Sequence, residues 1–122
     1  QIKFFEATKR GYFNIVKFMI DKGYDFRKHD DAALRLAGRH GQVEVAKILL
    51  EAGADIHAQD DAALSWASEW GEVEVVKILL EAGADVHARG DRALLYASET
   101  GKLEVVKVLQ EWIERHEQLQ NT

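Results

Sequence analysis

The sequence predicts an all-α fold, a solenoid of stacked helix-turn-helix units, on three observations. The chain repeats itself: shifted by thirty residues, Gly11, Gly41, Gly71 and Gly101 fall in one column and Gly23, Gly53 and Gly83 in another. A fixed period of this size signals a stacked array. Within each unit apolar residues recur at helical spacing. The composition, 47% hydrophobic and 30% charged with no proline, is that of a folded, helix-rich protein rather than a disordered one. At 122 residues the array is expected to be one domain, residues 1–122, in units of about 1–30, 31–60, 61–90 and 91–122.

The first unit enters directly at an inner helix, expected over 2–10, and continues in an outer helix over 13–21. It brings Phe4, Phe5, Tyr12, Phe13, Phe18, Met19, Tyr24 and Phe26 where later units carry small aliphatics. This suits an end cap, or a piece of a longer array, better than an aromatic ligand pocket, because aromatics at helical spacing are usually core. Gly23 follows the outer helix where a left-handed residue ends it without a side-chain penalty.

The second and third units predict inner helices over 32–39 and 62–69 and outer helices over 43–51 and 73–81. Asp31, Asp61 and Asp91 stand before the inner helices as N-caps, whose carboxylates accept bonds from first-turn amides. Leu34, Ala37 and Gly38, matched by Leu64, Ala67 and Ser68 and then by Leu94, Ala97 and Ser98, form the expected buried side, small enough for close helix approach. In VEVVKILLEA, residues 73–82, the apolar face is wide and Glu74, Lys77 and Glu81 form the polar stripe at pair spacing. The fourth unit predicts an inner helix over 92–99 and a long outer helix over 103–118. Trp112 and Ile113 replace the Ala82 and Gly83 of the preceding unit, so no glycine stops it. Leu109, Trp112, Ile113 and His116 then lie along one side as a closing lid.

With ALxxA, then G, then VEVVKxLLEAGADVxA, the unit ALSWASEWGEVEVVKILLEAGADVHA resembles an ankyrin repeat, and the resemblance covers nearly the whole chain. Such short units are similar to those of giant-virus and microbial ankyrin arrays. The chain departs from the family pattern in two places. Its unit is thirty residues against the usual ~33, the loss falling in QDDA, residues 59–62, where the family builds a projecting β-turn finger. The family's TPLH is replaced by AALR, AALS and RALL. Stubby or missing fingers are expected, with binding shifted to the helix faces. The resemblance implies a non-enzymatic protein-protein interaction module that holds a macromolecular partner on its concave inner-helix face. The alternative is a structural, self-associating or designed scaffold without a natural partner.

Residues 31–60 and 61–90 agree at 20 of 30 positions, and six of the ten differences crowd together: Arg35/Ser65, Leu36/Trp66, Gly38/Ser68, Arg39/Glu69, His40/Trp70 and Gln42/Glu72. At 3.6 residues per turn, Ser65, Trp66, Glu69 and Trp70 point away from the packed side. The predicted protein-binding strip is therefore Arg35, Leu36, Arg39 and His40, then Ser65, Trp66, Glu69 and Trp70, then Leu95, Tyr96, Glu99 and Thr100. The resemblance places partner contacts at the Arg39/His40 and Glu69/Trp70 positions. Trp, Tyr and Arg often dominate binding energy. The opposing reading is that Leu36, Trp66 and Tyr96 merely pack unit against unit.

Other chemistry lacks its parts. The chain has no cysteine, which excludes a disulfide framework, a thiolate metal site and a cysteine nucleophile. His57 and His87 share a repeat position, but helices stack ~8–10 Å apart and zinc needs each nitrogen at ~2 Å. They form a ladder rather than a chelate, each histidine bonding across to its neighbouring unit, and Asp55 and Asp85 are loop-bonding groups. Ser65, Ser68 and Ser98 have no histidine placed to reach them, and GxGxxG, GxxxxGK[ST] and HExxH are absent. No catalysis, cofactor or metal is expected. Lys9, Arg10, Arg27, Lys28, Arg35 and Arg39 are a local basic cluster, but the chain has net charge −5 and a phosphate track needs charge along its whole length. Residues 1–60 carry 10 Lys/Arg against 9 Asp/Glu, and 61–122 carry 6 against 12, a polarity that can orient a partner. The partner is expected to be another protein rather than nucleic acid or membrane, with a monomer favoured over a homo-oligomer. No apolar run approaches a membrane span, and QIKFFEATKRG lacks a signal-peptide layout. A soluble protein is expected, its compartment open.

Overall fold

Apolar residues at helical spacing give eight helices in the computed structural model, which describes residues 2–120, and no strand occurs among them. They are α1 (Phe4–Arg10), α2 (Phe13–Asp21), α3 (Lys28–Arg39), α4 (Val43–Glu51), α5 (Ala58–Glu69), α6 (Val73–Glu81), α7 (Ala88–Glu99) and α8 (Leu103–Gln120). Consecutive helices pair as hairpins, α1 with α2 through α7 with α8. The odd-numbered helices form an inner row, with α5 packed between α3 and α7, and the even-numbered helices an outer row. The outer helices fall where the sequence puts them, α8 running unbroken past Trp112 because nothing there ends it.

The recurring glycines at the inner-helix ends have two physical causes. Gly11 and Gly41 take φ of 76° and 67°, the left-handed conformation that closes a helix cheaply only without a Cβ. Each also lies under a side chain of the next hairpin: a Cβ on Gly11 would come within 2.2 Å of Gln42 Oε1, and one on Gly41 within 2.0 Å of Glu72 Oε2. Gln42 Nε2 donates to Lys9 O at 2.7 Å, tying the second hairpin to the first.

Leu34, Leu49, Leu64, Leu79, Val45, Val75 and Val105 are fully buried between the rows, each contributing about 1.5–3 kcal/mol by leaving water. The small residues do allow close approach: a Cβ on Gly38 would lie 3.0 Å from the Ala63 carbonyl oxygen. Two expected burials differ at the last hairpin. Leu94 is half-buried and Ser98 exposed, because no hairpin among the described residues covers the far side of α7. Trp112 and Ile113 pack against the core, and His116 stacks on Trp112 at 4.0 Å. At the other end Phe4 is buried and stacks on Tyr24 at 4.5 Å, whereas Tyr12, Phe13 and Phe18 are exposed. The aromatics of the first hairpin therefore divide between core and surface.

The connections from outer to inner helix are where the structure departs most from expectation. No finger projects there. Residues 29–31, 59–61 and 89–91 instead form a single left-handed turn, with φ of 55° to 67° and ψ of 36° to 50°. Asp31, Asp61 and Asp91 belong to that turn and make no cap hydrogen bond to the following helix. Each left-handed non-glycine residue costs about 1–2 kcal/mol, least for Asp and Asn, whose short polar side chains bond locally. The compensation is visible. Arg27 Nε reaches Asp31 Oδ2 at 3.4 Å and His57 Nδ1 donates to Asp61 Oδ1 at 3.0 Å, while His87 pairs with Asp91, so every turn is stapled across four residues.

Candidate functional site

Each inner helix turns one side to the stack and leaves the opposite side to face outward. On that outward side Leu36, Trp66 and Tyr96 are half-buried in one repeat column. Beside them stand Arg39, Glu69 and Glu99, and then His40, Trp70 and Thr100, all exposed except Glu69, which is half-buried.

The structure brings four strip residues into contact. The Arg39 guanidinium lies 5.0 Å from the Trp70 ring and 5.8 Å from the Trp66 ring, and Arg35 lies 5.9 Å from Trp66. Cation–π contacts at exposed sites are worth about 0.5–1 kcal/mol each, enough to hold orientations in place without closing the surface. Trp70 stays 50% exposed and Leu95 likewise 50%, so both have apolar area still to bury.

Two residues of the expected strip are used structurally. Ser65 is only 5% exposed, packed beneath its neighbours instead of facing out. Thr100 Oγ1 donates to Tyr96 O at 2.7 Å and reaches Glu69 O at 3.1 Å, which links α7 to α5.

Arg35, Trp66 and Tyr96 also meet around a pocket of about 290 Å³ that Gln59, Asp60, Ala62, Ser65, Arg89 and Arg92 complete. Arg89 and Arg92 were not foreseen. Arg89 is one of the ten differences between the middle units, opposite Gln59, but it falls outside the span where six of them crowd together. Arg92 lies in the fourth unit, where it replaces the alanine of Ala32 and Ala62, and a comparison of the two middle units alone passes over it.

The histidines bond differently from expectation. His57 Nδ1 pairs with Asp61 of its own hairpin at 3.0 Å, and it is Asp61 Oδ2 that crosses to the next, accepting from the Asp85 amide at 2.7 Å. Asp55 and Asp85 each accept the amide two residues on at 2.9 Å, the expected loop bonds. His87 has its pKa raised, chiefly by the hydrogen bond to Asp91, with Asp85 and Glu117 adding attraction. Among the described residues no three His, Asp or Glu side chains converge as a metal set. Ser68 Oγ is buried without a partner, so no base is placed to activate it. What the face offers is aromatic area, guanidinium donors and exposed carboxylates, which suits recognition.

A family model described as "Ankyrin repeats (3 copies)" matches residues 4–60 and again residues 58–119. Among curated proteins no relative matches the chain.

Proposed function

The chain belongs to the ankyrin repeat family, whose members are generally protein-protein interaction modules and typically not enzymes, and we propose that it holds another protein against its inner-helix face. On this reading residues 1–122 act as one domain that presents Arg35, Leu36, Arg39, His40, Trp66, Glu69, Trp70, Tyr96, Glu99 and Thr100 to the partner. The observation that carries it is Arg39 shared between Trp66 and Trp70 while half of Trp70 remains exposed. Aromatic and arginine side chains already held in place lose little entropy on binding and are the ones that most often dominate interface energy. No helix among the described residues is long and apolar enough to cross a membrane, and Glu69 and Glu99 interrupt any phosphate track along this face.

The test is Trp70→Ala with a partner captured from lysate. Loss of one exposed cation–π contact should shift the melting temperature by no more than a few degrees. Partner affinity should fall by about 2 kcal/mol or more. Unchanged affinity, or a variant that unfolds, removes Trp70 from the site.

A second reading, self-association, is favoured by Tyr12, Phe13, Ile15 and Phe18, all exposed on the first hairpin. Ile15 is 37% exposed where its counterparts Val45 and Val75 are 0% and 1%. Phe4 is buried in the core, so Phe13 and Phe18 are the substitutions that address this reading. A single monomer mass across a wide concentration range rules it out.

A further inference from the structure

The pocket between the second, third and fourth hairpins has a chemistry unlike the rest of the chain. Three guanidinium groups, Arg35, Arg89 and Arg92, surround it against one carboxylate, Asp60, in a chain of net charge −5. Trp66 and Tyr96 give it flat apolar walls. The arginines differ in how far they are committed. Arg35 is fixed by donating to Asp30 O at 2.6 Å and His29 O at 3.2 Å, which orients it without neutralising its charge. Arg89 lies 3.5 Å from Asp60 with side chains 50% and 68% exposed, a pairing weak enough for another carboxylate to replace. Arg92 rests 5.5 Å from the Tyr96 ring and has no carboxylate within ion-pair distance among the described residues.

We infer that this pocket recognises an acidic residue beside an aromatic one in a peptide segment of the partner, the carboxylate among Arg35, Arg89 and Arg92 and the aromatic ring between Trp66 and Tyr96. The inference rests on the inner-face reading and gives it a ligand chemistry. At about 290 Å³ the pocket is at the small end of ligand sites, which run ~300–1,000 Å³, so it takes one or two side chains of a longer segment. Guanidinium groups meet carboxylates in pairs of charge-assisted bonds. A polyanion is disfavoured, because Glu69 and Glu99 lie further along the same helices and would face its next charges.

The fold tolerates the key change, since alanine already stands at the Arg92 position in Ala32 and Ala62. The experiment is an NMR titration of the full chain, following the Trp66 indole and Arg92 Nε resonances. The probe is the capped peptide Gly-Glu-Phe-Gly-Lys-Gly, with versions carrying Gln or phosphoserine in place of Glu. The expected result is saturable movement of both resonances by the Glu peptide. Affinity should fall about ten-fold or more for the Gln peptide, and equally for Arg92→Ala, as loss of a charged hydrogen bond requires, with the melting temperature unchanged. Movement by the phosphoserine peptide alone overturns the proposal in favour of a phosphate site. Movement at Trp70 and Arg39 without Trp66 and Arg92 overturns it while leaving the inner-face reading standing. Movement at none of the four, with partner capture surviving Trp70→Ala, removes both.

Discussion

Asp61 shows how one side chain can be placed by sequence and still be misread. Its position before an apolar helical run carries an N-cap signal, yet its carboxylate holds the imidazole of His57 and the amide of Asp85. The cause is the short connection, which folds as a left-handed turn and points the side chain away from the helix amides. His87 and Asp91 form the same staple before the last helix pair, with no further hairpin among the described residues to share it. That partner raises the His87 pKa, so the sign of its contribution is fixed. The stabilisation is fully present below the ordinary imidazole value of about 6.5 and is lost as pH rises through the higher folded-state value. The melting temperature of the native chain should therefore fall more between pH 6 and pH 9 than that of His87→Gln. Parallel declines would show that the staple contributes nothing.

At the scale of the element, the helices were legible because period and glycine stops are local signals, and their burial was less so because it depends on what packs alongside. The column Thr8, Gly38, Ser68 and Ser98 makes the point. Thr8 is buried and satisfies its hydroxyl by donating to Phe4 O at 2.9 Å, Gly38 needs no partner, and Ser98 meets solvent. Ser68 is fully buried with its hydroxyl unpaired. An unsatisfied buried hydroxyl costs about 1–3 kcal/mol, and alanine is the better helix former. Ser68→Ala should accordingly raise stability by about 1 kcal/mol in denaturant unfolding. A loss would mean that the hydroxyl bonds to something in solution.

For the whole molecule, the comparison of repeats separated scaffold from surface in part: the constant apolar positions Leu34/Leu64 and Ala37/Ala67 became core, constant charged positions such as Lys47/Lys77 stayed exposed, and the varied positions Leu36/Trp66, Arg39/Glu69 and His40/Trp70 lie on one outward face. What that comparison could not supply was how residues from different units converge. The pocket of Arg35, Trp66, Arg89 and Arg92 draws on three hairpins, and the sequence distances between them carry no signal of it. The exposed aromatics likewise fall at two places, the inner-face strip and the first hairpin with Tyr12, Phe13 and Phe18, which only the stacking of the first hairpin distinguishes. Hydroxyl-radical footprinting of the chain with and without a captured partner compares the two patches directly. Binding on the inner face should lower oxidation of Trp66, Trp70 and Tyr96 and leave Tyr12, Phe13 and Phe18 unchanged. Protection of Tyr12, Phe13 and Phe18 with Trp70 still fully reactive would contradict the inner-face site.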